Sequence, residues 1–109
     1  METKLAVAQL AALAQDSRLA IFRWLVERGS TGAYAGEIAV QLAIAPATLS
    51  FHLKTLSHAG LVQAAASGRH IRYKAHFVAM RQLIDHLTEN CCAEDPTGPA
   101  SACCPMEQT

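Results

Sequence analysis

From Ile38 to Ile84 the sequence contains no aspartate and no glutamate, and its first ninety residues contain no cysteine. The first gap leaves Lys54, Arg69, Arg72, Lys74 and Arg81 unopposed, a local charge of +5, with His52, His58, His70 and His76 beside them. The remainder carries four bases against nine acids, so a net charge of zero conceals a basic middle between acidic ends. Such a stretch is an electrostatic footprint for a polyanion. The second gap excludes a thiolate centre built among the helices. Long apolar runs are also missing: nothing approaches the ~18 residues that span a bilayer. No signal-peptide core follows Met1 to Lys4, because Asp16 and Arg18 interrupt it, so a cytoplasmic protein without membrane contact is expected. There is no nucleophile–base constellation and no phosphate-cradling glycine loop, so neither an enzyme nor an organic cofactor is expected. What the chain does have is apolar surface, 51% of 109 residues. That is generous for one modest core and suggests that part of it is buried against a second copy.

The apolar period is helical at first. Residues 3–14 are rich in alanine and leucine, with Leu5, Leu10 and Leu13 as a stripe. Asp16 is placed to cap a second helix, whose apolar face is Leu19, Ile21, Phe22, Leu25 and Val26 and which Gly29 stops. Ser30 to Gly32 is expected to be a loop. A short helix from about Tyr34 to Leu42 turns Ile38, Ala39 and Leu42 inward, and a tight turn over Ala43 to Ala45 follows. Pro46 suits the first turn of the next helix, where its missing N–H costs nothing. There Leu49, Leu53 and Leu56 share one face, and Gly60 ends the helix. The period then becomes two. Residues 61–66 and 69–75, joined by Ser67 and Gly68, predict a hairpin. In its second strand Ile71 and Tyr73 are expected to be buried, opposite a basic face of His70, Arg72 and Lys74. Residues 76–90 return to helical spacing through Phe77, Met80, Leu83, Ile84 and Leu87. Beyond Asn90 the composition turns to Cys, Pro, Gly, Ala and Ser, and order is expected to fade. The expected fold is mainly α with a small β-hairpin, a winged helix-turn-helix over residues 1–90, followed by a flexible cysteine-containing tail over 91–109.

Residues 46–59 have the make-up of a DNA-reading helix. With its leucines inward, Ala47, Thr48, Ser50, Phe51, Lys54 and Thr55 lie outward or flank its N-terminal end, with no acid to repel phosphate. Thr48 and Ser50 can hydrogen-bond base edges or phosphates, and Lys54 supplies a phosphate contact. Phe51 is suited to a thymine methyl or, alternatively, to packing on the preceding helix. His52 completes the candidate DNA-contact set by position, although its sideways direction favours a helix–helix hydrogen bond. Arg69, just past the Ser67-Gly68 tip, is placed to reach a minor groove or the backbone, and Arg72 lies along the basic face behind it.

These residues resemble the ArsR/SmtB family of metal- and metalloid-responsive repressors. The likeness is carried by Ser50-x-His52-Leu53-x-x-Leu56, by Ala59 to Val62, by Gly68-Arg69 and by the preceding DSRLAIFRWL at residues 16–25. It covers roughly residues 5–92. It implies a homodimer joined through the first and last helices that binds operator DNA and represses its own operon until an inducer binds. Two familiar sites of the family are missing. Its Cys-x-Cys box falls on Tyr34 and Gly36, with a further cysteine position on Ala39. The Asp-x-His half of its zinc site reads Lys74-Ala75-His76, and His86-x-x-Glu89 is one residue, ~100° of helix, out of register. His76 and His86 are therefore expected to be ordinary surface or interface residues.

The four cysteines are Cys91, Cys92, Cys103 and Cys104. In a cytoplasmic chain such thiols are metal-binding or redox-active rather than stapled. Soft thiolates select thiophilic ions. The ten residues from Ala93 to Ala102 can span up to ~33 Å, so a fold-back or a crossing to a partner chain is open. The Asn90-Cys91-Cys92 run resembles arsenic-responsive members, which implies Cys91 and Cys92 as anchor ligands for trivalent arsenic or antimony. Either Cys103 or Cys104 would be the third, whereas a two-thiolate site would suit methylarsenite. Two alternatives stand beside this: a thiol-redox or persulfide switch on the same fold, and a metal- or metalloid-binding protein without an operator. Zinc held by the two pairs is the less favoured ligand, since adjacent-Cys spacing is unusual for it.

Overall fold

The structure is a computed structural model that describes residues 1–96. Its elements run α1 (Thr3–Leu13), α2 (Asp16–Arg28), a 3-10 turn (Gly29–Thr31), β1 (Ala33–Tyr34), α3 (Ala35–Leu42), α4 (Pro46–His58), β2 (Val62–Ser67), β3 (His70–Ala75) and α5 (Phe77–Thr88). The winged helix-turn-helix expected from the sequence is present: α3 and α4 are its two helices and β2–β3 its wing. The expected tail boundary at 91 falls beyond α5, and Cys103 and Cys104 lie outside the described residues.

Local chemistry sets the helix ends. The cap of α2 is the Gln15 side chain, which accepts a hydrogen bond from the Arg18 backbone N–H at 2.9 Å. Asp16, the expected cap, is instead the first helical residue, where its charge favours the positive end of the helix dipole. At α3 the Glu37 carboxylate accepts from the Tyr34 backbone N–H at 2.9 Å. The turn between α3 and α4 runs through Ala43 in the left-handed region, φ 54°, where its N–H reaches back to the last carbonyls of α3.

The core gathers Ile21, Leu25, Ile38, Leu49, Leu56 and Leu61, all essentially inaccessible. Leu49, Leu53 and Leu56 are buried together, as their spacing predicted. Helix α1 contributes differently. Its buried residues are Ala6, Gln9 and Ala12, and the small side chains let it approach closely. Gln9 donates from Nε2 to the Ala59 carbonyl at 3.1 Å, tying α1 to the end of α4. Of the leucine stripe, Leu13 packs against the edge of this core, while Leu5 and Leu10 are exposed. Leu10 stays 41% exposed and joins Leu87 of α5, 59% exposed, along an apolar groove of about 490 Å³ lined also by Leu13, Leu19, Met80 and Ile84.

The sheet departs from the expected two strands. Ala33, left between the expected loop and helix, and Tyr34, expected to start the helix, form β1, and the order is β1-β3-β2, all antiparallel. Ala33 pairs with Tyr73 and Tyr34 with Arg72, so β3 is central. Ile71, expected to be buried, is exposed: it pairs with Ala66 beyond the end of β1, where the hairpin overhangs the core. Alternation in sequence cannot bury a side chain where there is nothing to bury it against.

Candidate nucleic-acid interface

Helix α4 presents one continuous outer surface. Ala47, Thr48, Ser50, Phe51 and Lys54 are all exposed, because the three leucines hold the opposite face in the core. Phe51 is 64% exposed. Thr55 Oγ1 donates to the Phe51 carbonyl at 3.1 Å, so that hydroxyl is occupied within the helix. No acid lies on α4 or the wing; on α3, Glu37 stands 3.7 Å from Arg28 on the protein surface. The surface can therefore approach phosphates without repulsion and offer short hydroxyls to base edges.

Two of the candidate contacts are turned elsewhere. His52 is 8% exposed, and its Nδ1 lies 3.4 Å from the Arg18 guanidinium, which itself donates from Nε to the Ala12 carbonyl at 2.7 Å. Since an arginine can only donate, Nδ1 is the acceptor in that contact. His52 thus braces α4 against α1 and α2. Arg72 donates to the Thr31 carbonyl at 2.6 Å and to the Tyr34 hydroxyl at 2.8 Å, and its guanidinium lies over the Tyr34 ring. Its charge serves the β1–β3 junction, leaving Arg69 at the tip as the exposed wing arginine.

Sequence reasoning missed Tyr34. Read as the start of a helix, it is also the last residue of β1, and its hydroxyl lies 3.3 Å from Ser67 Oγ. The Ser67 hydrogen bond first, then the Arg72 hydrogen bond and charge, hold the phenol below its ordinary pKa of 10.0, against desolvation and the Glu37 charge. A two-residue strand leaves no periodicity to read. The only signal was an aromatic just ahead of a helix.

After α5, Cys91 and Cys92 lie in successive turns, with Cys91 N–H donating to the Thr88 carbonyl at 3.0 Å. Their Sγ atoms are 3.5 Å apart. Among the described residues no three His, Cys, Asp or Glu side chains converge as a metal site. His76 Nδ1 accepts from the Ala79 N–H at 3.2 Å and so caps α5, while His86 Nδ1 lies 4.0 Å from Glu89. No single helix among the described residues is long and apolar enough to cross a membrane.

Residues 13–63 match a helix-turn-helix domain family. No curated protein is a significant match to the sequence. Among solved structures the chain is similar to an ArsR-like transcriptional regulator from Rhodococcus sp. RHA1, 27% identical with a TM-score of 0.71 over 84% of this chain and 82% of that one. It is similar to HlyU from Vibrio cholerae, 30% identical with a TM-score of 0.63 over 80% of this chain and 97% of that one. A third relative is the homodimeric winged helix-turn-helix DNA-binding domain of Mb0332 from Mycobacterium bovis, 25% identical with a TM-score of 0.61 over 78% and 83% of the two chains. With the acid-free reading helix, the wing and these relatives in agreement, the chain belongs to the ArsR/HlyU family of winged helix-turn-helix transcriptional regulators, which bind DNA and are not enzymes.

Proposed function

We propose that this chain is a cytoplasmic, homodimeric repressor that holds operator DNA with α4 and the wing. It lets go when trivalent arsenic or antimony, or methylarsenite, binds thiolates at the end of α5. The acid-free outer face of α4 carries the DNA half of this reading. Ala47, Thr48, Ser50 and Phe51 enter the major groove, with Phe51 against a thymine methyl, while Lys54 and Arg69 hold the backbone. The dimer is supported by the exposed leucines of α1 and α5 and by the homodimeric M. bovis relative.

The cysteine spacing supports the inducer. A thiophilic ion ~2.3 Å from each of two sulfurs permits them to be at most ~4.6 Å apart. The 3.5 Å between Cys91 and Cys92 Sγ fits that limit. A third thiolate would be Cys103 or Cys104, which lie outside the described residues. Because α5 lines the apolar groove with α1, tying down its end alters the angle between two reading heads. The inducer acts only by its preference for the form that does not bind DNA.

A thiol-redox switch is the second reading, favoured by the vicinal thiols of Cys91 and Cys92 and by a structure of HlyU from V. cholerae in its reduced form, 30% identical to this chain. Fluorescence anisotropy on the DNA upstream of the protein's own gene separates the two, titrated in parallel with arsenite, antimonite, methylarsenite, zinc and peroxide. The Cys91→Ser/Cys92→Ser protein is expected to keep its DNA affinity and lose release by arsenite. Normal release from that variant would sink the metalloid assignment. Release by peroxide alone, reversed by a dithiol, would establish the redox reading instead.

In the same assay Lys54→Ala is expected to weaken binding to all DNA sequences alike and to lower the slope of log affinity against log salt by about 1. An unchanged slope would remove Lys54 from the phosphate contacts.

A further inference from the structure

The wing is poorly supported by its backbone. Gln63, Ala64, Ala65 and Ala66 of β2 are all exposed, so most of the strand packs on nothing. A two-stranded ribbon of this kind is marginal in water. The third strand helps only at the base: its last pair, Tyr34 with Arg72, is level with Ala65. Beyond that row the hairpin overhangs, and Arg69 stands at its end.

One side chain reaches past the last backbone pair. The Tyr34 hydroxyl lies 3.3 Å from Oγ of Ser67, the final residue of β2 and the neighbour of the Gly68-Arg69 tip. Arg72 donates to the same phenol oxygen at 2.8 Å, so one hydroxyl is shared between Arg72 and Ser67. The ring is held by the Arg72 guanidinium 4.8 Å from its centroid and by His70, whose ring packs edge-on at 5.6 Å. At its other end Tyr34 is the N-cap residue of α3, its N–H held by Glu37, and α3 packs on α4. A single residue therefore connects the helix-turn-helix to the wing tip.

We propose that Tyr34 is a positioning residue for DNA binding: its hydroxyl, shared between Ser67 and Arg72, sets the angle at which Arg69 is carried relative to α4. This rests on the DNA-binding reading above, and it has a consequence in the free protein as well. Tyr34→Phe keeps the ring contacts and removes both hydroxyl hydrogen bonds, so it isolates the proposed role.

In the free protein, Tyr34→Phe is expected to speed amide hydrogen exchange at residues 65–71 at least fivefold, with exchange in α2 and α4 unchanged. On DNA, Arg69→Ala is expected to weaken binding roughly fivefold and to lower the salt slope by about 1 in the wild-type background. In the Tyr34→Phe background it is expected to cost less than twofold, because Arg69 is no longer held in place. Tyr34→Ser, which restores a hydroxyl without reach, should not rescue the coupling. Unchanged exchange at the tip overturns the proposal whether or not the protein binds the DNA tested. An equal effect of Arg69→Ala in both backgrounds overturns it too. Wild-type protein that fails to bind DNA but shows the exchange effect would refute the operator reading and leave the brace standing.

Discussion

Gly32→Ala is expected to destabilise the protein by ~3 kcal/mol or more, from two costs that add, the left-handed backbone and overpacking. Gly32 has φ +63°, in the left-handed region, which a Cβ disfavours by ~1–2 kcal/mol. A Cβ there would also run into the Tyr73 carbonyl oxygen and lie 3.1 Å from Lys74 Cβ. The obstacle is the backbone of the central strand, which cannot retreat without breaking the neighbouring Ala33–Tyr73 pair. Arg28, which donates from Nε to the Gly32 carbonyl at 2.8 Å, would lose its partner in the same movement. Since a domain of this size has ~5–15 kcal/mol in hand, such a loss is a large fraction of the total. Gly29 is the internal control. It has a similar φ of +65°, but a Cβ there meets nothing within 4 Å, so Gly29→Ala pays only the backbone cost. Urea denaturation of the two variants checks this. Equal midpoints would show that close approach to β3 does not govern the site.

The second large effect concerns assembly. Leu87→Glu is expected to convert a dimer into a folded monomer and to weaken operator binding about 100-fold or more, since the two half-sites are then no longer read together. Leu87 is 59% exposed on the single chain, so a carboxylate there stays hydrated and the monomer fold tolerates it. In the proposed dimer the same position lies in the groove with Leu10 and Ile84 and would be covered, where an unpaired charge is costly. Val40 is more exposed still, at 84%, but lies on α3 away from this groove. Val40→Glu should therefore leave the dimer intact. Sedimentation equilibrium of both variants decides the matter. A dimeric Leu87→Glu protein would place the interface elsewhere.

The two effects differ in how readable they were beforehand. Leu10, Leu13 and Leu87 announced amphipathic helices, but their spacing did not say which of them would face the chain's own core. The choice on α1 went mainly to alanines and Gln9, because a helix that packs closely against α4 buries small side chains; Leu13 reaches the edge of the core and Leu10 stays outside. Likewise a glycine in a presumed loop gave no sign that its importance lay in the strand passing behind it.

The acid-free stretch from Ile38 to Ile84, the leucines of α4, the proline at its start and the change of period at the wing were determined by the sequence alone. Each is a local pattern: helix and hairpin periods involve neighbours within a few residues, and charge along a chain survives any folding. The structure decided how those charges and aromatics are spent. Arg72 is drawn to Thr31 and Tyr34, His52 turns inward to Arg18, and Phe51 remains outside. These outcomes depend on partners 34 to 41 positions away in the chain, brought together by a two-residue strand and a helix crossing. No local period encodes such a meeting; it exists only once the core has closed.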